Sequence, residues 1–120
     1  MTQILIVDDE PLLREELQES LELEDYDVAT AESVPDALVQ CAETVFDVVV
    51  TDLKMPIQGG LELIRKLNED AFPGIVVVVS GHGAESSREE AMAHGAVACF
   101  AKPLDIDELI DVIKENTDVS

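Results

Sequence analysis

Asp8, Asp9, Asp52, Ser80 and Lys102 are the residues of this chain whose types and positions could do chemistry. Each stands where an apolar run stops. Ile4 to Val7 leads into Asp8-Asp9, Val48 to Val50 into Thr51-Asp52, Ile75 to Val79 into Ser80, and Val97 to Ala101 into Lys102. If those runs are parallel strands of one sheet, the five residues meet at one rim. Three clustered carboxylates repel unless something compensates them. A hard divalent cation held by oxygen ligands and retained waters, Mg²⁺ above all, does so naturally. Lys102 adds an ammonium on a long stem and Ser80 a hydroxyl. The set suits phosphoryl transfer: metal and lysine neutralise developing phosphoryl charge, and the Asp52 carboxylate accepts the group as an acyl phosphate. Taken singly, each residue has an ordinary use. Asp8 and Asp9 could cap a helix, Ser80 could be a strand-end hydroxyl, Lys102 a surface lysine and Asp52 a turn residue. Their shared placement at strand ends favours the chemical reading.

The elements that must position them follow from the pattern. The runs at Ile4, Val48 and Ile75 are apolar without alternation, as in strands buried on both faces of a parallel sheet. Asp27 to Ala31 and Val97 to Ala101 are weaker strands, expected at the edges. Helices lie between. Pro11 opens the first, with Leu13, Leu17 and Leu21 at helical spacing. Ser33 caps the second, whose apolar face is Val34, Ala37, Leu38, Cys41 and Ala42. Leu61, Ile64 and Leu67 mark the third after the Gly59-Gly60 break. The fourth, from Ala84 to His94, carries only Met92 and alanines, so it is expected to pack loosely; Gly95 closes it. Asp105 and Glu108 form an Asp variant of the capping box before Ile106, Leu109, Ile110 and Ile113. Asn116 to Ser120 reads as a frayed end. Five strands alternating with five helices imply a flavodoxin-like doubly wound parallel sheet of order 2-1-3-4-5. That order makes the first and third strands neighbours at the switch point, and brings Asp8 and Asp9 beside Asp52.

Bulk properties narrow the function classes. The 120 residues fit one domain, and 47% hydrophobic content is enough for one core. Seven basic residues against 27 acidic give a formal net charge of −20. That argues against direct binding to nucleic acid and favours cations and basic partner surfaces. Cys41 and Cys99 show no metal-type spacing and read as reduced, buried thiols of a cytoplasmic protein. No apolar run is long enough to span a membrane, and no secretory leader is visible.

With these residues in place the chain resembles the receiver domains of two-component response regulators. The resemblance rests on Asp8-Asp9, on Asp52 with Met55-Pro56, on Ser80 and on Lys102-Pro103, and it covers residues 1–120 as a single receiver domain. It implies a signalling phosphoacceptor rather than a turnover enzyme. Asp52 would take a phosphoryl group from a sensor histidine kinase or a histidine phosphotransfer protein. Asp9, Asp52 and the backbone carbonyl of Lys54 would bind Mg²⁺, with Asp8 assisting through water, and Ser80 and Lys102 would contact the phosphoryl group. Lys54 and His82 would flank the pocket, and the Lys102–Pro103 bond would be cis. Output would pass through the surface of the fourth helix, fifth strand and fifth helix, to an output domain or a second copy.

One position departs from the family. Its usual aromatic residue three places before the lysine is Cys99 here, and strand alternation points the adjacent Phe100 to the opposite face. Activation is therefore expected to work mainly by shifting the segment from Gly81 to Gly95. Two other classes compete. A phosphohydrolase with an Asp nucleophile, like the haloacid dehalogenase group, would carry a second Asp two residues on, where this chain has Lys54. A pure interaction module would not need the full acidic set with Lys102.

Overall fold

A computed structural model describes residues 2–52, 59–80, 85–102 and 104–117. The strands are β1 (Gln3–Val7), β2 (Asp27–Ala31), β3 (Val48–Asp52), β4 (Ile75–Ser80) and β5 (Ala98–Ala101); the helices are α1 (Pro11–Glu22), α2 (Val34–Glu43), α3 (Gly60–Glu69), α4 (Glu85–Ala93) and α5 (Ile106–Thr117). All strand pairs are parallel and the order is β2-β1-β3-β4-β5. The three uninterrupted aliphatic runs are central and the two weaker strands are edges, as their sequences predict. Parallel central strands have no wet face, so every position along them must be apolar.

Strand parity sorts the core into two layers. Leu5, Val7, Val49, Val76 and Val78 pack under α2, α3 and α4 with Val34, Ala37, Leu63, Ile64, Leu67 and Ala91. Ile4, Ile6, Val48, Val50, Val77 and Val79 pack under α1 and α5 with Leu17, Leu21, Leu109, Ile110 and Ile113. Cys99 leans on the first layer and Phe100 on the second, so Phe100 does point away from the Cys99 face. Asp52 continues the parity of Val48 and Val50, as Asp8 does that of Ile4 and Ile6. Both belong to the α1/α5 side of the rim.

Several helix details differ from the sequence reading. Ala42 is exposed, and both cysteines are only partly buried. Leu63, not Leu61, is the fully buried residue of that pair in α3. Asp105 accepts from the Asp107 N–H at 3.0 Å, not from Glu108. Of the expected frayed end from Asn116 to Ser120, Asn116 and Thr117 are helical instead, the Asn116 amide donating to the Val112 carbonyl at 2.8 Å and the Thr117 hydroxyl to the Ile113 carbonyl at 2.6 Å; residues 118–120 lie outside the described residues. Among the described side chains of α4, Ala91 is buried and Met92 half-exposed, in keeping with a loosely packed helix.

Candidate functional site

The chain turns from strand to helix at Asp8, and local hydrogen bonds fix that turn. The Asp8 carboxylate accepts the Glu10 N–H at 2.8 Å, an Asx-type closure that a short acidic side chain favours. The Arg14 guanidinium, one turn into α1, donates to the Asp8 carbonyl at 2.7 Å. Pro11 at the first turn of α1 leaves no orphan N–H there. Asp52 ends β3 with both neighbouring strands in register: Val7 faces Thr51 on one side, and Val79 faces Asp52 on the other. Thr51 is buried and its hydroxyl donates to the Asp52 carbonyl at 3.0 Å.

Lys102 joins these strand ends. Its Nζ lies 2.8 Å from Asp52 Oδ2, 3.0 Å from Glu10 Oε1 and 3.6 Å from Asp8 Oδ2. The Asp8 and Asp52 side chains are buried, 4% and 6% exposed, whereas Glu10 is 61% exposed at the mouth. Burial pushes the Asp8 carboxyl up from its ordinary value; the Glu10 N–H and the Lys102 charge offset this only in part, and the Asp52 and Glu10 charges add to it. Burial alone would lower the Lys102 ammonium. Its hydrogen bonds to Asp52 and Glu10, and the Asp8 and Asp52 charges, overrule that and hold it well above the ordinary lysine value. Lys102 is firmly protonated, and the cleft floor carries more negative charge than one ammonium cancels.

Asp9 is exposed beside them. One oxygen each from Asp8, Asp9, Glu10 and Asp52 lie within 4.8 Å of one another. This all-oxygen set, in which two buried carboxylates share one ammonium, fits a hard divalent ion such as Mg²⁺. Ser80 ends β4 at the same rim, opposite Ala101 in register, while its side chain lies outside the described atoms. Lys54, Met55, Pro56, Gly81, His82, Gly83 and Pro103 lie outside the described residues. So do the Lys54 carbonyl, the pocket-flanking role of His82 and the geometry of the Lys102–Pro103 bond.

Sequence reasoning gave no role to Glu10 or Arg14. Glu10 had a visible signal, as the third acid of Asp8-Asp9-Glu10 at the same strand end. Arg14 had none, because its use depends on a long side chain reaching back over the first turn of α1.

Comparisons with known proteins agree with this geometry. The family described as response regulator receiver domain matches residues 4–114. The C4-dicarboxylate transport transcriptional regulatory protein DctD of Pseudomonas aeruginosa is 35% identical over 98% of this chain, which corresponds to 26% of that protein. The chain spans between a quarter and a half of the first curated relatives it matches, 26% of one and 47% of another. Among solved structures, a receiver domain protein from Clostridium thermocellum superposes with a TM-score of 0.91 at 30% identity, covering 96% of this chain and 93% of that one. The response regulator TrrA of Thermotoga maritima, solved in complex with Mg²⁺ and BeF, superposes with a TM-score of 0.86 at 31% identity, covering 96% and 98%. Five parallel strands in the order 2-1-3-4-5, an acidic rim closed by a lysine and a family match over nearly the whole length lead to one conclusion: this chain belongs to the response regulator receiver domain family.

Proposed function

We propose that Asp52 is the phosphoacceptor of this receiver. The observation that carries the proposal is the 2.8 Å contact between Lys102 Nζ and Asp52, beside Asp8 at the switch point of the sheet. An Asp52 oxygen attacks the phosphorus of a phosphohistidine on a sensor kinase or phosphotransfer protein. The nitrogen–phosphorus bond breaks, the imidazole leaves, and an acyl phosphate remains. Lys102 stays charged throughout and hydrogen-bonds the new phosphoryl oxygens, with the Ser80 hydroxyl as the second contact. Asp8, Asp9, Asp52 and the Lys54 carbonyl would hold Mg²⁺. When bound, Mg²⁺ supplies the positive charge that lets a phosphoryl dianion sit among carboxylates. Asp8 and Arg14 keep the β1–α1 turn rigid, so that Asp9 faces the same space.

The protein then acts as a cytoplasmic signalling switch and not as a turnover enzyme. The readout we infer is the α4, β5 and α5 surface, where Arg88, Glu89, Met92 and Cys99 line a cavity of about 580 Å³. Its partner there would be an output domain or a second copy, and the net charge of −20 disfavours nucleic acid. Treatment with acetyl phosphate and Mg²⁺ tests the class. A receiver accumulates about one phosphoryl group per chain with slow release of phosphate. Steady multiple turnover would identify a hydrolase, and no labelling would identify a bare interaction module.

A further inference from the structure

Glu10 makes a contact that the phosphoacceptor reading leaves unused. It occupies the N-cap of α1 in an extended conformation, yet its side chain makes no capping bond to the helix. Ser, Thr, Asp or Asn would serve that position better. The carboxylate instead reaches across the cleft mouth to Lys102, 92 residues away in sequence, at 3.0 Å. The same ammonium serves Asp52 and Asp8 on the floor.

We propose that Glu10 is a positioning residue that acts through Lys102 and disfavours the phosphorylated state, by engaging the ammonium that a phosphoryl group on Asp52 requires. This rests on the phosphoacceptor reading of Asp52. Phosphorylation replaces one carboxylate anion by a phosphoryl group of higher charge, which needs the ammonium's hydrogen bonds more than the carboxylate did. Glu10 competes for those bonds and adds like charge at the mouth. Towards a divalent cation the same charge acts in the opposite sense, because carboxylate charge raises affinity for a hard metal. Removing the Glu10 charge therefore moves the two ligands in opposite directions. A loosened α1 would weaken both.

The test compares the parent chain with Glu10→Gln in three measurements. These are calorimetric titration with Mg²⁺ alone, titration with beryllofluoride as phosphoryl mimic at saturating Mg²⁺, and hydrogen exchange of the Lys102 ammonium by NMR. Glu10→Gln should bind beryllofluoride roughly 1.5- to 5-fold more tightly, the factor expected when an exposed charge pair is removed. It should bind Mg²⁺ about 2-fold more weakly. The Lys102 ammonium should exchange faster, since one of its partners is gone. Beryllofluoride affinity that is unchanged or weaker, Mg²⁺ affinity that rises, or Lys102 exchange that does not change would each overturn the role of Glu10. A parent chain that binds no beryllofluoride even with Mg²⁺ would instead defeat the phosphoacceptor reading itself, and the role of Glu10 with it.

Discussion

Lys102→Met deletes the cation that Asp8, Asp52 and Glu10 share and leaves a side chain of similar length. In the parent, Nζ lies 2.8 Å from one buried carboxylate and 3.6 Å from another. At an effective dielectric of about 20, a pair at 4 Å attracts by about 4 kcal/mol before desolvation is counted. Removing one partner of a buried pair costs about 3–5 kcal/mol, because the remaining charge is stranded. Lys102 is 23% exposed and water reaches the cleft, so the lower end applies, about 3 kcal/mol. For a domain of this size each kcal/mol shifts Tm by about 4 °C, which puts the variant about 12 °C below the parent in metal-free buffer. Mg²⁺ binds the same oxygens, and without the competing ammonium it binds them better. Linkage stabilises each protein by about 2.7 kcal/mol at a concentration about 100 times its own dissociation constant, so at one fixed Mg²⁺ concentration the tighter-binding variant gains more than the parent. Thermal melts followed by circular dichroism, with chelator and with millimolar-scale Mg²⁺, measure both effects. Equal Tm values without metal, or a gap that Mg²⁺ does not narrow, would refute the idea that Lys102 neutralises the cleft.

Three other perturbations follow from the same structure. Burial raises the folded-state pKa of Asp8, so its contribution to stability is fully present below the unfolded value of 3.8 and is lost as pH rises through the folded value. Asp8→Asn should therefore be more stable than the metal-free parent at neutral pH and lack this loss, as urea unfolding across the acidic range would show; a less stable Asn variant at neutral pH would contradict it. Gly74→Ala should cost about 1–3 kcal/mol in urea unfolding, because the new Cβ would clash with the Asp47 carbonyl and lie 2.8 Å from the Phe46 carbonyl oxygen; a neutral result would mean this turn can move aside. Ala71 sits at φ 55°, where the Phe72 N–H meets the Leu67 carbonyl and the Ala71 N–H meets Asn68, a Schellman closure of α3. Ala71→Gly should raise stability by about 0.5–1 kcal/mol, and a lower Tm would count against strain at that position.

The strands and their order were legible because a parallel sheet covered on both faces demands unbroken aliphatic runs, and Ile4–Val7, Val48–Val50 and Ile75–Val79 supply them. The candidate cluster was legible for the same reason: each polar residue interrupts such a run at one end of a strand. What was not legible depends on reach and on closure. Glu10 and Arg14 act through long side chains, whose targets are set by the turn after β1 and by the end of β5 rather than by local sequence. The α1 and α3 ends close with Asp25 and Ala71 at positive φ, where glycine would have announced the stop as Gly95 does for α4. Cys41 and Cys99 have apolar neighbours in sequence, yet the helix over Cys99 is too thin in large side chains to bury it, so a cavity stands there instead.

The central claim is that a phosphoryl group is carried on Asp52. Intact-mass measurement of the parent and of Asp52→Asn after acetyl phosphate and Mg²⁺, with both shown to be folded by circular dichroism, tests it most directly. One phosphoryl adduct is expected on the parent, lost in mild alkali as an acyl phosphate should be, with none on Asp52→Asn. An adduct that persists on folded Asp52→Asn, or a parent that takes up none, would contradict it.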